Sequence, residues 1–116
     1  MRKREHNSKV PAEIAPILAE VKKRLGTYYG DRLVDLVLFG SRARCDNEPD
    51  SDIDVLAVLR MSADEVEQVS YPTSIIMDLL DRYGLLVTIL EIDEGRYLTR
   101  GGPLLRNIRQ EGVTVE

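Results

Sequence analysis

Two short apolar runs constrain the fold of this chain more than any other feature of its sequence. The first, Leu33–Phe39, is bounded by Gly30 and Gly40, and the second covers Ile53–Leu59. Apolar runs of this length between turn-forming residues favour buried strands over helices. Residues 85–92 form a similar run and predict a third strand.

Helical periodicity flanks these strands. From Pro11 onwards, apolar residues recur every three or four positions until Gly26, which we expect to end an amphipathic helix. Ser62, with glutamate three residues later, predicts the capped start of another helix. Pro72 interrupts that helix, and a second helical stretch continues to Gly84.

The C-terminal segment completes the predicted pattern. A turn at residues 101–103 precedes a short helix over residues 104–111 and a terminal extension over residues 113–115. Strands that alternate with helices in this way predict an α/β fold, in which helices cover a small sheet.

Size and composition limit the class of protein. The chain has 116 residues, of which 43% are hydrophobic, and it has no apolar run near the roughly 20 residues of a membrane span. We expect a flexible tail over residues 1–9 and a single domain over residues 10–116. Cys45 is the only cysteine, and the chain starts with charged residues instead of an apolar signal segment. Both features predict a cytoplasmic protein without an intramolecular disulfide.

The charge balance bears on the type of ligand. The formal net charge is −4, and the basic runs at residues 2–4 and 22–24 are short. A long nucleic acid needs many phosphate contacts, so it is not an expected partner. A small anionic substrate that is carried by a metal ion remains compatible with this charge.

Two aspartates at the start of the second predicted strand are candidate metal ligands. Asp52 and Asp54 are two residues apart, so strand alternation places both carboxylates on one face, roughly 7 Å apart. Carboxylate pairs that leave coordination positions for water and phosphate are typical of Mg²⁺ in phosphoryl-transfer sites. Two such ions would clamp the attacking and leaving oxygens.

A candidate phosphate-binding turn follows the first predicted strand. Gly40 lets the backbone approach a phosphate closely, and Ser41 adds a hydroxyl where it would cap a short helix up to Arg44. Opposite the aspartates, this turn would hold a nucleoside triphosphate for in-line attack on phosphorus with pyrophosphate leaving. Arg42 or Arg44 would neutralise the developing charge.

The same residues are also compatible with ordinary loops and, in part, with a calcium site. A Gly-Ser pair alone is a common turn, and an acidic stretch alone is a common loop. Asp50, Asp52 and Asp54 match the first three ligands of an EF-hand calcium loop. That loop requires glycine where this chain has Val55 and glutamate where it has Met61, so calcium sensing is disfavoured.

Residues 38–44 and 50–56 together resemble the signature of the minimal nucleotidyltransferases of the polymerase beta superfamily. Residues 103–113 are similar to the end of many small members, so the resemblance covers about residues 15–116. It implies a mixed sheet with flanking helices, Mg²⁺, and transfer of a nucleotidyl group, commonly AMP from ATP, to a hydroxyl of a protein or small molecule.

The resemblance also implies roles for individual residues. Gly40 and Ser41 would bind the nucleoside triphosphate, and the charge argument above adds Arg42 to these candidate nucleotide-binding residues. Asp52 and Asp54 would be the catalytic residues and metal ligands.

The chain departs from the family pattern at two positions. Cys45 stands where glycine is common, which affects the loop, and Thr88 stands on the third strand where a third carboxylate usually lies. Threonine cannot act as that metal ligand or base. Glu91 is nearby but three residues along a strand, so it faces the opposite side from Thr88.

The missing acid leaves an alternative open. The chain would then be a weak or inactive nucleotidyltransferase-fold module that acts as an antitoxin or regulatory subunit by binding a partner protein. The resemblance implies a separate HEPN-type toxin as one such partner. A further hypothesis is that the chain is a helper subunit of a larger transferase. Homo-oligomer formation, the base preference and the acceptor are left open.

Overall fold

The structure, a computed structural model, describes residues 10–116. The predicted tail over residues 1–9 lies outside the described residues. The elements are, in chain order, α1 (Ala15–Tyr29), β1 (Leu33–Phe39), α2 (Ser41–Arg44), β2 (Ile53–Leu59), α3 (Ala63–Gln68), α4 (Thr73–Tyr83), β3 (Val87–Asp93), α5 (Glu94–Thr99), α6 (Pro103–Glu111) and β4 (Val113–Thr114). Single 3₁₀ turns over Ala12–Ile14 and Gly30–Arg32 flank α1.

The described strands form one mixed sheet in the order β3-β2-β1-β4. β1 is antiparallel to both β2 and β4, whereas β2 and β3 are parallel. The two inner strands are covered on both faces, which explains why they appear in the sequence as nearly continuous apolar runs. The predicted α/β fold with a small mixed sheet and flanking helices is confirmed.

The two faces of the sheet pack against different helices. Leu36 and Val55 belong to the larger core, which also contains the buried residues of α1 and α4. Leu56 and Val58 face the other way and pack with Ile108 of α6. By strand alternation, Asp54 lies on the same face as Leu56. Within residues 10–116, none of the helices combines the length and the apolar character needed to cross a membrane.

The local predictions for the strands and the capping box were accurate. β1 and β2 have the predicted boundaries. The Ser62 hydroxyl accepts a hydrogen bond from the Glu65 backbone, and the Glu65 carboxylate accepts one from the Ser62 backbone. β3 begins two residues later than predicted and ends one residue later.

Two predicted helix boundaries were wrong. α1 does not end at Gly26 but continues to Tyr29, and the buried Tyr29 side chain offsets the roughly 1 kcal/mol cost of a glycine inside a helix. Gly30, with φ of 68°, follows the helix end instead. Ser41 does not cap α2, because Gly40 occupies that position and no side-chain cap bond is formed.

One helix, α5, was missed. The Asp93 carboxylate caps it by accepting a hydrogen bond from the Arg96 backbone N–H at 2.9 Å. Burial acts to raise the pKa of Asp93, but its hydrogen bonds with Arg96 outweigh burial and lower that pKa. An Asp at the N-cap position followed by an acidic residue, Glu94, in the first turn was the sequence signal for this helix start.

A hydrogen bond between α1 and β3 carries a stability prediction. The Tyr29 hydroxyl donates to the Glu91 carboxylate. Burial raises the pKa of Glu91, and the hydrogen bond from Tyr29 partly opposes that rise. We expect Tyr29→Phe to lower the free energy of unfolding by about 1–2 kcal/mol, because a half-buried carboxylate loses its donor.

Urea denaturation at neutral pH measures this loss. Tyr83→Phe is the matched control, since the exposed Tyr83 hydroxyl has no hydrogen bond within residues 10–116. Equal stability changes in the two variants would contradict the prediction.

Candidate active site

The sheet brings three segments together at one end. β1 and β2 are antiparallel, so Phe39 at the end of β1 pairs with Asp54 near the start of β2. On the other side of β2, Asp54 is in register with Thr88 of β3. The turn Gly40-Ser41 therefore lies beside the carboxylate that was predicted to face it.

Gly40 and Asp54 approach each other closely. A Cβ atom on Gly40 would lie 2.7 Å from Oδ2 of Asp54, and Gly40 has φ of +80°. A side chain at this position would displace the carboxylate, and the backbone conformation is itself one that favours glycine. The sequence explained Gly40 by the approach of a phosphate, whereas the structure adds a second reason, which is space for the Asp54 carboxylate.

Helix α2 begins directly at this turn. The carbonyl of Gly40 accepts hydrogen bonds from the backbone N–H groups of Ala43 and Arg44. The first N–H groups of a helix, here those of Ser41 and Arg42, have no acceptor within the helix. They are donors for an anionic oxygen beside the aspartates.

The two aspartates repel each other. Asp54 is half-buried and Asp52 is exposed. Burial, and then the negative charge of Asp52, raise the pKa of Asp54. Within residues 10–116, neither carboxylate forms an ion pair with a basic side chain. A bound cation would offset both the cost of burying the Asp54 charge and the repulsion between the two carboxylates.

The donor set fits Mg²⁺ together with a phosphate ligand. In the described part of the chain, no group of three or more His, Cys, Asp or Glu residues could hold a metal ion. Mg²⁺ is commonly held by one or two carboxylates, with substrate phosphates and water completing the coordination. The Asp52 and Asp54 pair matches that pattern.

On β3, the residue in register with Asp54 is not a carboxylate. Thr88 is exposed on β3 in register with Asp54, and it carries no charge. Glu91 accepts its hydrogen bond from Tyr29 of α1. Glu91 therefore lies on the face of the sheet away from Thr88.

Arg42 has a different environment from a free phosphate-binding side chain. It is only 3% exposed, and its guanidinium donates to the carbonyls of Pro49 and Ser51, both at 3.0 Å from Nη2. Arg44 is exposed and pairs with Asp46 at 3.1 Å and Glu111 at 3.4 Å. The contacts of Arg42 were not predictable from the sequence, because the accepting carbonyls of Pro49 and Ser51 belong to a loop without regular secondary structure.

Comparisons with known proteins show which family the chain resembles. The model of the nucleotidyltransferase domain family matches residues 18–110. A protein of Methanocaldococcus jannaschii, provisionally named a protein adenylyltransferase, is 36% identical over 78 residues, which are 67% of this chain and 74% of that protein.

Solved structures share the fold. A provisionally named nucleotidyltransferase from Sulfolobus solfataricus superimposes with a TM-score of 0.51 and 23% identity, over 98% of this chain and 89% of its own. A toxin–antitoxin structure with AMP-PNP has a TM-score of 0.53 and 15% identity, over 91% of this chain and 73% of its own. With the family model covering most of the sequence, this chain belongs to the nucleotidyltransferase domain family.

Proposed function

We propose that this chain is a Mg²⁺-dependent nucleotidyltransferase that moves AMP from ATP to a hydroxyl of a protein or small molecule. The observation that carries the proposal is the close approach of the Gly40 turn to Asp54, where an added Cβ at Gly40 would lie 2.7 Å from Oδ2 of the carboxylate. The naming of the Methanocaldococcus jannaschii relative supports AMP as the group and a protein as an acceptor.

Different residues are assigned to the metal ion and to the triphosphate. Asp52 and Asp54 would hold Mg²⁺, and the N–H groups at the start of α2 with the Ser41 hydroxyl would bind the triphosphate. Bound Mg²⁺ supplies charge neutralisation at the reacting phosphate and the leaving pyrophosphate. The acceptor oxygen forms a bond to the α-phosphorus, the bond from that phosphorus to the bridging oxygen of pyrophosphate breaks, and the hydroxyl proton leaves to water or to a base on the acceptor.

Titration calorimetry with ATP and GTP, with and without Mg²⁺, tests this site. We expect Mg²⁺-dependent nucleotide binding in the wild type and its loss in Asp52→Asn. Asp50→Asn is the matched control, because Asp50 is an exposed aspartate in the preceding loop. The proposal would be contradicted if the wild type bound no nucleotide under any of these conditions.

A second candidate function follows from Thr88. An uncharged residue in register with Asp54 favours a module that binds nucleotide but neutralises or regulates a partner protein without turnover. The toxin–antitoxin structure that shares this fold makes a toxin protein the partner to test, and the family resemblance suggests one of the HEPN type. If Asp52→Asn still protects cells from a co-expressed toxin, partner binding suffices without turnover; if protection is lost, the Mg²⁺-nucleotide site is required for neutralisation.

A further inference from the structure

Within residues 10–116, Arg42 is a buried cation without a carboxylate partner. Among the described residues, the buried charged side chains are Arg42 and Asp93, at 3% and 6% exposure. Asp93 is paired with Arg96, whereas the Arg42 guanidinium bonds only to backbone carbonyls. Burying a charge is costly unless hydrogen bonds compensate, so these carbonyl contacts account for its burial.

The carbonyls belong to the loop that leads into β2. Arg42 donates from Nη2 to Pro49 and Ser51 at 3.0 Å and from Nε to Ser51 at 3.3 Å. The loop is closed further by the Glu48 backbone N–H, which donates to the Ser51 hydroxyl at 2.9 Å, and by the Ser51 N–H, which donates to the Glu48 carbonyl at 3.1 Å.

The hydrogen bonds from Arg42 to the Ser51 carbonyl also restrain the backbone of Asp52. The Ser51 carbonyl and the Asp52 nitrogen are part of one planar peptide unit. Two N–H groups of a rigid guanidinium hold that carbonyl, so they also fix the plane from which the Asp52 side chain extends. Because Asp52 is exposed, little side-chain packing is available to orient it.

We propose that Arg42 is a positioning residue, which holds Asp52 in its metal-binding orientation through the Ser51 carbonyl and does not contact the triphosphate. This inference rests on the proposed function of Asp52 and Asp54. A lysine cannot replace it, since an ammonium lacks the planar set of donors that bonds two carbonyls together.

Mn²⁺ titration without nucleotide, followed by water-proton relaxation, separates positioning from phosphate binding. We expect Arg42→Lys to weaken Mn²⁺ binding about 10–100-fold, as is typical when a residue that orients a metal ligand is changed. Arg44→Lys, on the exposed side of the same short helix, should bind Mn²⁺ as the wild type does. We also expect guanidinium ion to restore part of the Mn²⁺ affinity of Arg42→Ala.

The outcomes distinguish this inference from the proposed function. Asp52-dependent Mn²⁺ binding in the wild type that is unchanged in Arg42→Lys would overturn the positioning role alone. Wild-type protein that binds no Mn²⁺ in an Asp52-dependent way would overturn both.

A measurement on the wild type covers the case in which the variants fail to fold. The NMR signals of the Arg42 guanidinium N–H protons should keep their positions and their protection from exchange when Mg²⁺-ATP saturates the protein. Large shifts of these signals, as a new phosphate contact would cause, would contradict the positioning role.

Discussion

Asp54→Asn is expected to slow nucleotidyl transfer strongly and, in the same protein, to raise the melting temperature of the metal-free form. Loss of a metal ligand removes several kcal/mol of charge stabilisation, which corresponds to roughly 10³-fold in rate. Transfer of radiolabelled AMP and Mn²⁺ titration measure the functional loss.

The stability change has the opposite sign because of the raised pKa of Asp54. Burial, and then the charge of Asp52, raise that pKa in the folded protein. The folded state thus favours the protonated carboxyl, and this contribution to stability is present at low pH and lost as the pH rises through the folded pKa. At neutral pH the ionised carboxylate destabilises the metal-free fold, and asparagine removes that charge.

Thermal unfolding in the presence of a chelator checks the second half of the prediction. We expect a gain of a few degrees at most at neutral pH, since solvent screens a half-buried carboxylate, and no gain at a pH where Asp54 is protonated. Asp50→Asn should change neither property. A variant that loses transfer and also melts earlier would indicate a structural role for Asp54 instead.

Gly40→Ala is expected to cause the second-largest loss. The added Cβ would lie 2.7 Å from Oδ2 of Asp54, so the carboxylate or the turn must move. Displacement of a reacting group by about 1 Å can cost on the order of 10²-fold in rate. The positive φ adds a strain of about 1–3 kcal/mol, which lowers the free energy of unfolding.

Gly30→Ala separates the contact from the strain. Gly30 has φ of 68° and ψ of −146°, close to the 80° and −160° of Gly40, but a Cβ there would meet no atom within 4 Å. We expect Gly30→Ala to lose stability while keeping Mg²⁺ and ATP affinity. If calorimetry shows the same loss of affinity in both alanine variants, the contact with Asp54 does not explain the need for glycine at position 40.

The accuracy of the sequence-based prediction varied with how local each feature is. The boundaries of β1 and β2 were predictable because both faces of these strands are buried, so each strand is a continuous apolar run between polar or glycine residues. The capping box at Ser62 depends on four neighbouring residues. The end of α1 was not predictable from Gly26, because packing of Tyr29 against β3 extends the helix by one more turn.

The sequence by itself determined the chemical groups of the site. The spacing of Asp52 and Asp54 predicts carboxylates on one face at the start of β2, and Gly40-Ser41 provides the turn, because both depend only on the geometry of a strand and of its end. The residue roles assigned to this site stay predictions until the variants are measured.

Only the tertiary structure decided which of these groups meet. The pairing of Phe39 with Asp54 sets the distance between turn and carboxylate, and it depends on the register of two strands that the sequence does not specify directly. The burial of the Arg42 side chain depends on an irregular loop, whose carbonyls accept its hydrogen bonds. Register and loop shape arise from burial of apolar faces far apart in the chain, and a local pattern contains no information about such long-range packing.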